Sequence, residues 1–302
     1  MPFFSVILPT YNRASFLARS IGSVIKQELL DWELIVIDDG STDSTKDVVT
    51  SFKEARIKYV YQKNSERSAA RNKGIVHASG TWICFLDSDD EFLPNHLKQL
   101  ADFIESSAAT ACMVATGLAI HRGHEIKHKA FLQLKKNVIV EIGNNFLVPT
   151  QVCVHRSMLE NEQFDERFRL WEDTHLWFRV AARYPVFQME EYTVIQHVHD
   201  EGTVVQGMKN IRFIEVLQYV DAIKDLRDQH QALFEEKLPQ NYFNHYIDSK
   251  FRMYLYQARQ NQQLRVASQI WAKAWKHRSS CYLIMELPKI LLNCLNIGLH
   301  AR

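Results

Sequence analysis

The sequence has no surplus of charge of either sign: 36 Lys plus Arg stand against 35 Asp plus Glu over 302 residues, a net +1. Without a basic excess the total does not point to a nucleic-acid partner, and any electrostatic function must be local. Nor is there a run of about 18 uninterrupted apolar residues, the length a helix needs to cross a bilayer. The nearest stretch, Cys281 to Leu299, is broken by Glu286, Pro288, Lys289, Asn293 and Asn296, so the chain is not expected to span a membrane. The five cysteines (Cys84, Cys112, Cys153, Cys281, Cys294) are odd in number, widely spaced and without a C-x-x-C pair. This excludes a small disulfide scaffold and reads as reduced thiols in a cytoplasm. MPFFSVILPTYNR has no basic segment ahead of its apolar run and meets Pro9 and Asn12 too soon for a signal peptide; a strand is expected there instead. Internal repeats and low-complexity tracts are absent too. What remains, 46% hydrophobic, 11% aromatic and 24% charged, is the composition of a globular chain with one large core and an appendage.

The balanced total hides an asymmetry. Up to residue 208 there are 22 basic and 27 acidic residues, and after it 14 basic and 8 acidic, so two segments of different character are expected, 1–208 and 209–302. In the first, Phe4 to Leu8, Glu33 to Ile37, Ile57 to Tyr61 and Trp82 to Leu86 read as buried strands. Between the first two, Leu17, Ile21, Val24 and Ile25 recur at helical spacing. Alternation of this kind predicts an α/β fold with a mainly parallel sheet flanked by helices. Ligands of such sheets bind beyond the carboxyl ends of the strands. Polar clusters fall at three of those ends: Thr10-Tyr11-Asn12, Asp38-Asp39-Gly40-Ser41 and Asp87-Ser88-Asp89-Asp90. The second segment reads as long helices, with Pro239 and Gln260 to Gln263 as breaks.

Asp87-Ser88-Asp89-Asp90 gathers three carboxylates within four residues. They repel one another unless neutralised, and oxygen ligands of this kind suit Mg2+ or Mn2+. An EF-hand loop would need Gly where Phe92 stands, and a haloacid-dehalogenase-type phosphatase would need Thr or Val where Glu91 stands. After the second strand, Ser41 or Thr42 could cap the following helix. Capping does not account for two aspartates at a buried strand's end, where an Asp can accept the imide N–H of uracil. Arg71, in Ser68-Ala69-Ala70-Arg71-Asn72-Lys73-Gly74, sits on a helix leading toward the strand that carries Asp87; an Arg fork beside a metal suits a pyrophosphate. Glu172-Asp173 opens a helix in which Asp173, Leu176, Trp177 and Val180 share the apolar face.

PTYNR at 9–13, DDGSTD at 38–43, SAARNKG at 68–74, FLDSDD at 85–90 and WEDTHLWFR at 171–179 together resemble, in order and spacing, the motif series of family 2 glycosyltransferases. The resemblance covers roughly residues 3 to 205. It implies the GT-A fold, a Rossmann-like mixed sheet, together with a nucleotide-sugar donor, a divalent metal (Mn2+ or Mg2+) at the D-x-D, and inversion at the anomeric carbon. Carried over, Pro9, Thr10, Tyr11 and Arg13 would line the nucleotide pocket and Asp39 would bind the base. Asp87 and Ser88 would reach the ribose or metal, Asp89 would ligate the metal, Arg71 would face the pyrophosphate, and Asp173 would be the general base. His199, two residues after His197, stands where a metal or phosphate contact is expected, and strand alternation would put both imidazoles on one face. One departure is Asn64-Ser65-Glu66, where the family often has Asn-x-Gly.

The function implied is transfer of one sugar, from a UDP-linked donor in the first instance, to a hydroxyl of a glycan or lipid-linked acceptor in cell-surface polysaccharide biosynthesis. The Q-x-x-R-W motif of processive synthases is absent. The rival is a non-catalytic nucleotide-sugar-binding homologue serving as a partner subunit. Toward the C-terminus, Glu286, Lys289, Asn293, Asn296 and His300 would form one polar stripe on an otherwise apolar helix, preceded by basic residues and by Trp271 and Trp275. Such a helix suits either packing or peripheral contact with the anionic inner face of a membrane.

Overall fold

The computed structural model describes residues 1–107, 110–200, 202, 207 and 209–276. The chain divides into two compact units, Met1–Val198 and His199–Arg302.

The first unit holds nine strands: β1 (Phe4–Thr10), β2 (Trp32–Asp38), β3 (Ile57–Tyr61), β4 (Trp82–Phe85), β5 (Glu91–Phe92), β6 (Met113–Arg122), β7 (Glu125–His128), β8 (Val152–His155) and β9 (Val186–His197). Its helices are α1 (Ala14–Ile25), α2 (Thr45–Ser51), α3 (Glu66–His77), α4 (His96–Ser107), α5 (Val138–Asn145) and α6 (Glu172–Arg183). One mixed sheet runs in the order β3-β2-β1-β4-β8-β6-β9-β5, with β7 added to β6. Its first four strands are parallel throughout, Leu8 lying opposite Val36 and Val6 opposite Cys84. β8 then enters antiparallel to both β4 and β6, while β6 and β9 are again parallel. The four strands read from the sequence and the α/β class are thus observed.

Both faces of β1, β2 and β4 are buried, which is why these strands are apolar without alternation. β3, expected to be buried, is instead the edge strand and only half-buried, with Lys58 and Tyr61 exposed. Phe4, Val6 and Leu8 of β1 join Leu17, Ile21 and Val24 of α1 in one core. Ile7 faces the other way, toward α3, where a Cβ on Gly74 would come within 2.3 Å of its Cγ2. The glycine therefore lets α3 lie directly on β1, and this close approach carries Arg71, one turn earlier, toward the carboxyl ends of the strands. On that second face, Phe85 meets Phe164 and Trp177 with ring centroids 5.4 and 6.0 Å apart.

In the second unit the described helices are α7 (Phe213–Gln229), α8 (Gln231–Phe234), α9 (Tyr242–Gln260) and α10 (Leu264–Lys276). Their core is built from Val216, Val220, Ile223, Leu226, Ile247, Phe251, Leu255 and Ile270. Pro239 falls at a helix break, as its missing N–H favours, and a second break follows Gln260, where Gln262 turns left-handed with φ +58°. Trp271 and Trp275 stack at 5.6 Å. The polar stripe from Glu286 to His300 lies outside the described residues. No helix among the described residues is long and apolar enough to cross a membrane.

Candidate active site

Because β1, β2 and β4 are parallel, their carboxyl ends lie along one edge, and the loops that follow are stitched to each other. Asn12 donates its backbone N–H to Ser41 Oγ (2.9 Å) and accepts from the N–H of Thr42 (2.8 Å). Asp43 accepts from the N–H of Ala14 (3.1 Å), and Asp39 N–H bonds the carbonyl of Thr10 (2.9 Å). Ser41 and Thr42 therefore do not cap α2. Their polar groups are spent between loops, and Asp43 instead takes the N–H of Thr45. Tyr11 stays 47% exposed at the rim, whereas Thr10 is buried with its hydroxyl unpartnered. Pro9 ends the β1 ladder opposite Ile37, and Arg13 stands at the start of α1 with its guanidinium 5.5 Å from the Phe16 ring.

The two aspartates after β2 separate into different tasks. Asp38 is consumed structurally, accepting from Tyr59 OH (2.6 Å) and Ser41 N–H (2.8 Å). Asp39 is held through Oδ1 alone, by Gln62 (2.7 Å) and the N–H of Ser65 (2.8 Å). This orients a buried carboxylate at the strand end that the resemblance assigns to the base. Gly40 adopts φ +84°, and a Cβ there would lie 2.7 Å from the backbone nitrogen of Asn64. Opposite it, Glu66 has φ +73°. The loop shape that glycine would favour is thus kept by a glutamate, at a cost on the order of 1 kcal/mol in backbone strain.

The D-x-D turn is fastened from α1. Ser20 Oγ bonds the carbonyls of Ser88 (2.7 Å) and Asp90 (2.8 Å), and Arg19 reaches the carbonyl of Asp89 (2.6 Å). Asp90 is buried against Thr150 (2.9 Å), and its carboxyl is driven well above the usual range by burial and by the charges of Asp87 and Asp89. Asp87 and Asp89 remain part-exposed, whereas Ser88 is buried. An excess of negative charge from hard oxygen donors at an accessible strand end fits a divalent cation such as Mn2+ or Mg2+.

Arg71 sits only 3% exposed and forks between two carboxylates, donating to Asp87 (2.8 Å) and to Glu172 (2.9 Å). It joins the D-x-D turn to the first turn of α6, and its Nε has no partner. Asp173, next to Glu172, is half-buried; desolvation and then the Glu172 charge push its carboxyl up to about 7. A carboxyl raised toward neutrality is suited to the proton abstraction that the resemblance assigns to Asp173. Trp171, just before it, has φ +66°, a left-handed conformation that is costly for a bulky side chain. α6 is buried on nearly every side, not on one face as its spacing suggests, with α5 packed against it and Trp177 packed against Phe85 and Phe164.

β9 ends at His197, where the ladder to β6 closes with Val198 N–H on the His121 carbonyl (2.8 Å). Strand alternation therefore does not extend to His199, which belongs to the second unit, and its assignment as a metal contact rests on the resemblance alone. His197 bonds Glu91 (3.1 Å). Ser20, Arg19, Thr150, Gln62 and the pairing role of Glu172 were not read from the sequence. Only Ser20 left a trace there, as a polar residue at a core position of α1, three after Leu17.

The Glycosyl transferase family 2 profile matches residues 5–162. The chain is 31% identical over 245 residues to the GalNAc(5)-diNAcBac-PP-undecaprenol beta-1,3-glucosyltransferase of Campylobacter jejuni, covering 76% of this chain and 75% of that protein. The chain spans 77% of the length of one curated relative it matches and 26% of another. Among solved structures it resembles S. aureus TarS 1-349 in complex with UDP, with TM-score 0.61 and 20% identity over 95% of this chain and 91% of that one. The mannosyltransferase PcManGT from Pyrobaculum calidifontis in complex with GDP-Man and Mn2+ aligns with TM-score 0.58 and 18% identity over 97% and 81%. At these identities the two structures speak for the fold. Taken with the family profile and the 31% identical relative, they make the chain a member of glycosyl transferase family 2, a glycosyltransferase of the GT-A fold.

Proposed function

We propose that this enzyme transfers a single sugar, with inversion, from a UDP-linked donor to a hydroxyl of a glycan or lipid-linked acceptor in cell-surface polysaccharide biosynthesis. The observation that carries the reading is the convergence on one sheet edge of Asp39, the Asp87–Asp90 turn and, through Arg71, the start of α6 with Asp173. Tyr11 offers an exposed aromatic face beside the base, and Asp39 an oriented carboxylate for an imide N–H. Asp87 and Ser88 serve the ribose, and Asp89 is the metal ligand. A bound Mn2+ or Mg2+ would neutralise the departing diphosphate. Asp173 takes the acceptor hydroxyl's proton on the opposite face of the sugar. A lipid-linked acceptor is supported by the undecaprenol-linked substrate in the Campylobacter relative's name, a UDP donor by TarS bound to UDP, and the metal by PcManGT bound to Mn2+. A non-catalytic homologue would be expected to have lost Asp89 or Asp173, and both are present.

Thermal stabilisation by a panel of nucleotide sugars with Mn2+ tests the donor. A UDP-sugar should raise the melting temperature and GDP-sugars should not; the reverse result would overturn the UDP reading. The enzyme works, in the same proposal, at the cytoplasmic face of an anionic membrane, held there peripherally by its basic C-terminal region with Trp271 and Trp275. The full chain should float with anionic liposomes at low salt, and a chain that stays with the soluble fraction would remove the membrane contact.

A further inference from the structure

Three carboxylates repel one another across the Asp87–Asp90 turn, so its shape has to be imposed by bonds from other elements. Those from α1 run to backbone carbonyls: Ser20 holds the carbonyls of Ser88 (2.7 Å) and Asp90 (2.8 Å), and Arg19 that of Asp89 (2.6 Å). Within the turn, Asp90 donates its N–H to the carbonyl of Asp87 (3.0 Å). These bonds leave two polar groups to be met, the N–H of Asp87 at the entrance of the turn and the carboxylate of Asp90 at its exit. One hydroxyl meets both. Thr150 Oγ1 accepts from the Asp87 N–H (3.3 Å) and donates to Asp90 Oδ2 (2.9 Å).

Thr150 is buried, and a hydroxyl has one hydrogen to give, so the direction of the chain is fixed from amide to hydroxyl to carboxylate. The hydroxyl is itself held in place. Thr150 lies in a single 3-10 turn, Pro149–Gln151, between α5 and β8. Gln151 exchanges two bonds with Thr116 of β6, donating Nε2 to its carbonyl (2.8 Å) and accepting from its hydroxyl on the backbone oxygen (3.3 Å). Gln151 Oε1 also takes the Lys129 ammonium (3.0 Å). The bracket that presents Thr150 is therefore built on β6, whereas the bonds to the carbonyls come from α1. Asp87 is fixed at three points as a result: its N–H on Thr150, its carbonyl by Asp90 and its Oδ1 by Arg71 (2.8 Å). Its Oδ2 enters no bond among the described residues. Valine has nearly the shape of threonine and would fill the same space; what it lacks is the hydroxyl, which here spends both its bonds on the two ends of one turn.

We propose that Thr150 is a positioning residue for the metal and the donor diphosphate: its hydroxyl braces the two ends of the Asp87–Asp90 turn and so sets the direction in which Asp87 and Asp89 present their carboxylates. Groups that orient the ligands of a metal without touching it are commonly worth about ten- to a hundredfold in affinity. The inference rests on the reading of Asp89 as the metal ligand.

Calorimetry of UDP binding to the full chain, with Mn2+ and with a chelator in its place, tests this. In the unmodified protein Mn2+ should strengthen binding. Thr150→Val should weaken binding in the presence of Mn2+ by about tenfold and leave the metal-free affinity within about twofold, because Tyr11 and Asp39 are not bonded to Thr150. Thr150→Ser keeps both bonds and should bind as the unmodified protein does. Thr150→Cys, whose thiol is a weak donor and a weak acceptor, should fall between them and replaces the valine variant if that chain does not fold. Unchanged Mn2+ dependence in the Val and Cys variants overturns the inference. So does a loss in Thr150→Ser as large as in Thr150→Val, which would make packing of the methyl group the cause, and so does a metal-free affinity that falls as far as the Mn2+ value. An unmodified protein that binds UDP equally with and without Mn2+ overturns the metal reading instead, so the two failures are distinguishable.

Discussion

Alanine at position 89 should abolish both metal-dependent UDP binding and sugar transfer, with turnover falling by a factor on the order of 10^3 or more. The expectation draws on how the backbone of the turn is held from α1. Ser20 holds the carbonyls on either side of it, and Arg19 holds its own. Truncation removes the proposed ligand while these backbone bonds remain. Asp87→Ala differs in kind: it deprives the buried Arg71 of one of two carboxylates and should lower the melting temperature as well. Calorimetry of UDP with and without Mn2+ is the measurement. Equal affinities in the unmodified protein would overturn the metal reading, and an Asp89→Ala protein that keeps metal-dependent binding would move the ligand elsewhere.

Asp173→Asn should leave donor binding in place and reduce transfer by about 10^2 to 10^4, since the amide keeps the shape but cannot accept a proton. Near-normal transfer would pass the role of base to another group, with Glu172 the first to examine. The same substitution carries a stability signature of defined sign. Burial and then Glu172 raise the Asp173 carboxyl from 3.8 to about 7, so the folded chain binds this proton more tightly than the unfolded chain. Its ionisation therefore opposes folding increasingly as pH climbs from about 4 through 7. Asn cannot ionise, so the variant's melting temperature should exceed that of the unmodified protein at pH 8 and match it near pH 3.5. A variant equally or less stable at pH 8 would show that the carboxylate is not held under this strain. The proposed role and stability are thereby opposed at one residue, as expected where a half-buried carboxylate is kept reactive.

Local pattern sufficed wherever one residue's neighbours in the chain determine its environment. Apolar runs through Val6, Ile35 and Cys84 specify strands buried on two faces. The period of Leu17, Ile21 and Val24 specifies the helix between them, and the parallel order that follows makes the Asp-rich ends share one edge. The polar loops at those ends could be placed from the sequence for that reason. What pattern could not supply was how polar groups are shared between elements distant in the chain. Asp38 and Asp39 are adjacent and identical in type, yet Tyr59 and Ser41 saturate one while Gln62 and Ser65 orient the other. Capping by Ser41 and Thr42 was a sound local expectation, and it failed because Asn12, 29 and 30 residues away, offers partners that no sequence window contains.

The sequence by itself determined the family, the order of strand and helix in the first unit, and which loops carry carboxylates, since these follow from hydrophobic periodicity and short motifs. Which groups those carboxylates bond follows from the tertiary structure alone. Arg71 and Glu172 lie 101 residues apart, yet the guanidinium donates to that carboxylate and to Asp87. Proton affinity is set by desolvation and by the sum of nearby charges, and both are properties of packing in three dimensions, not of position along the chain.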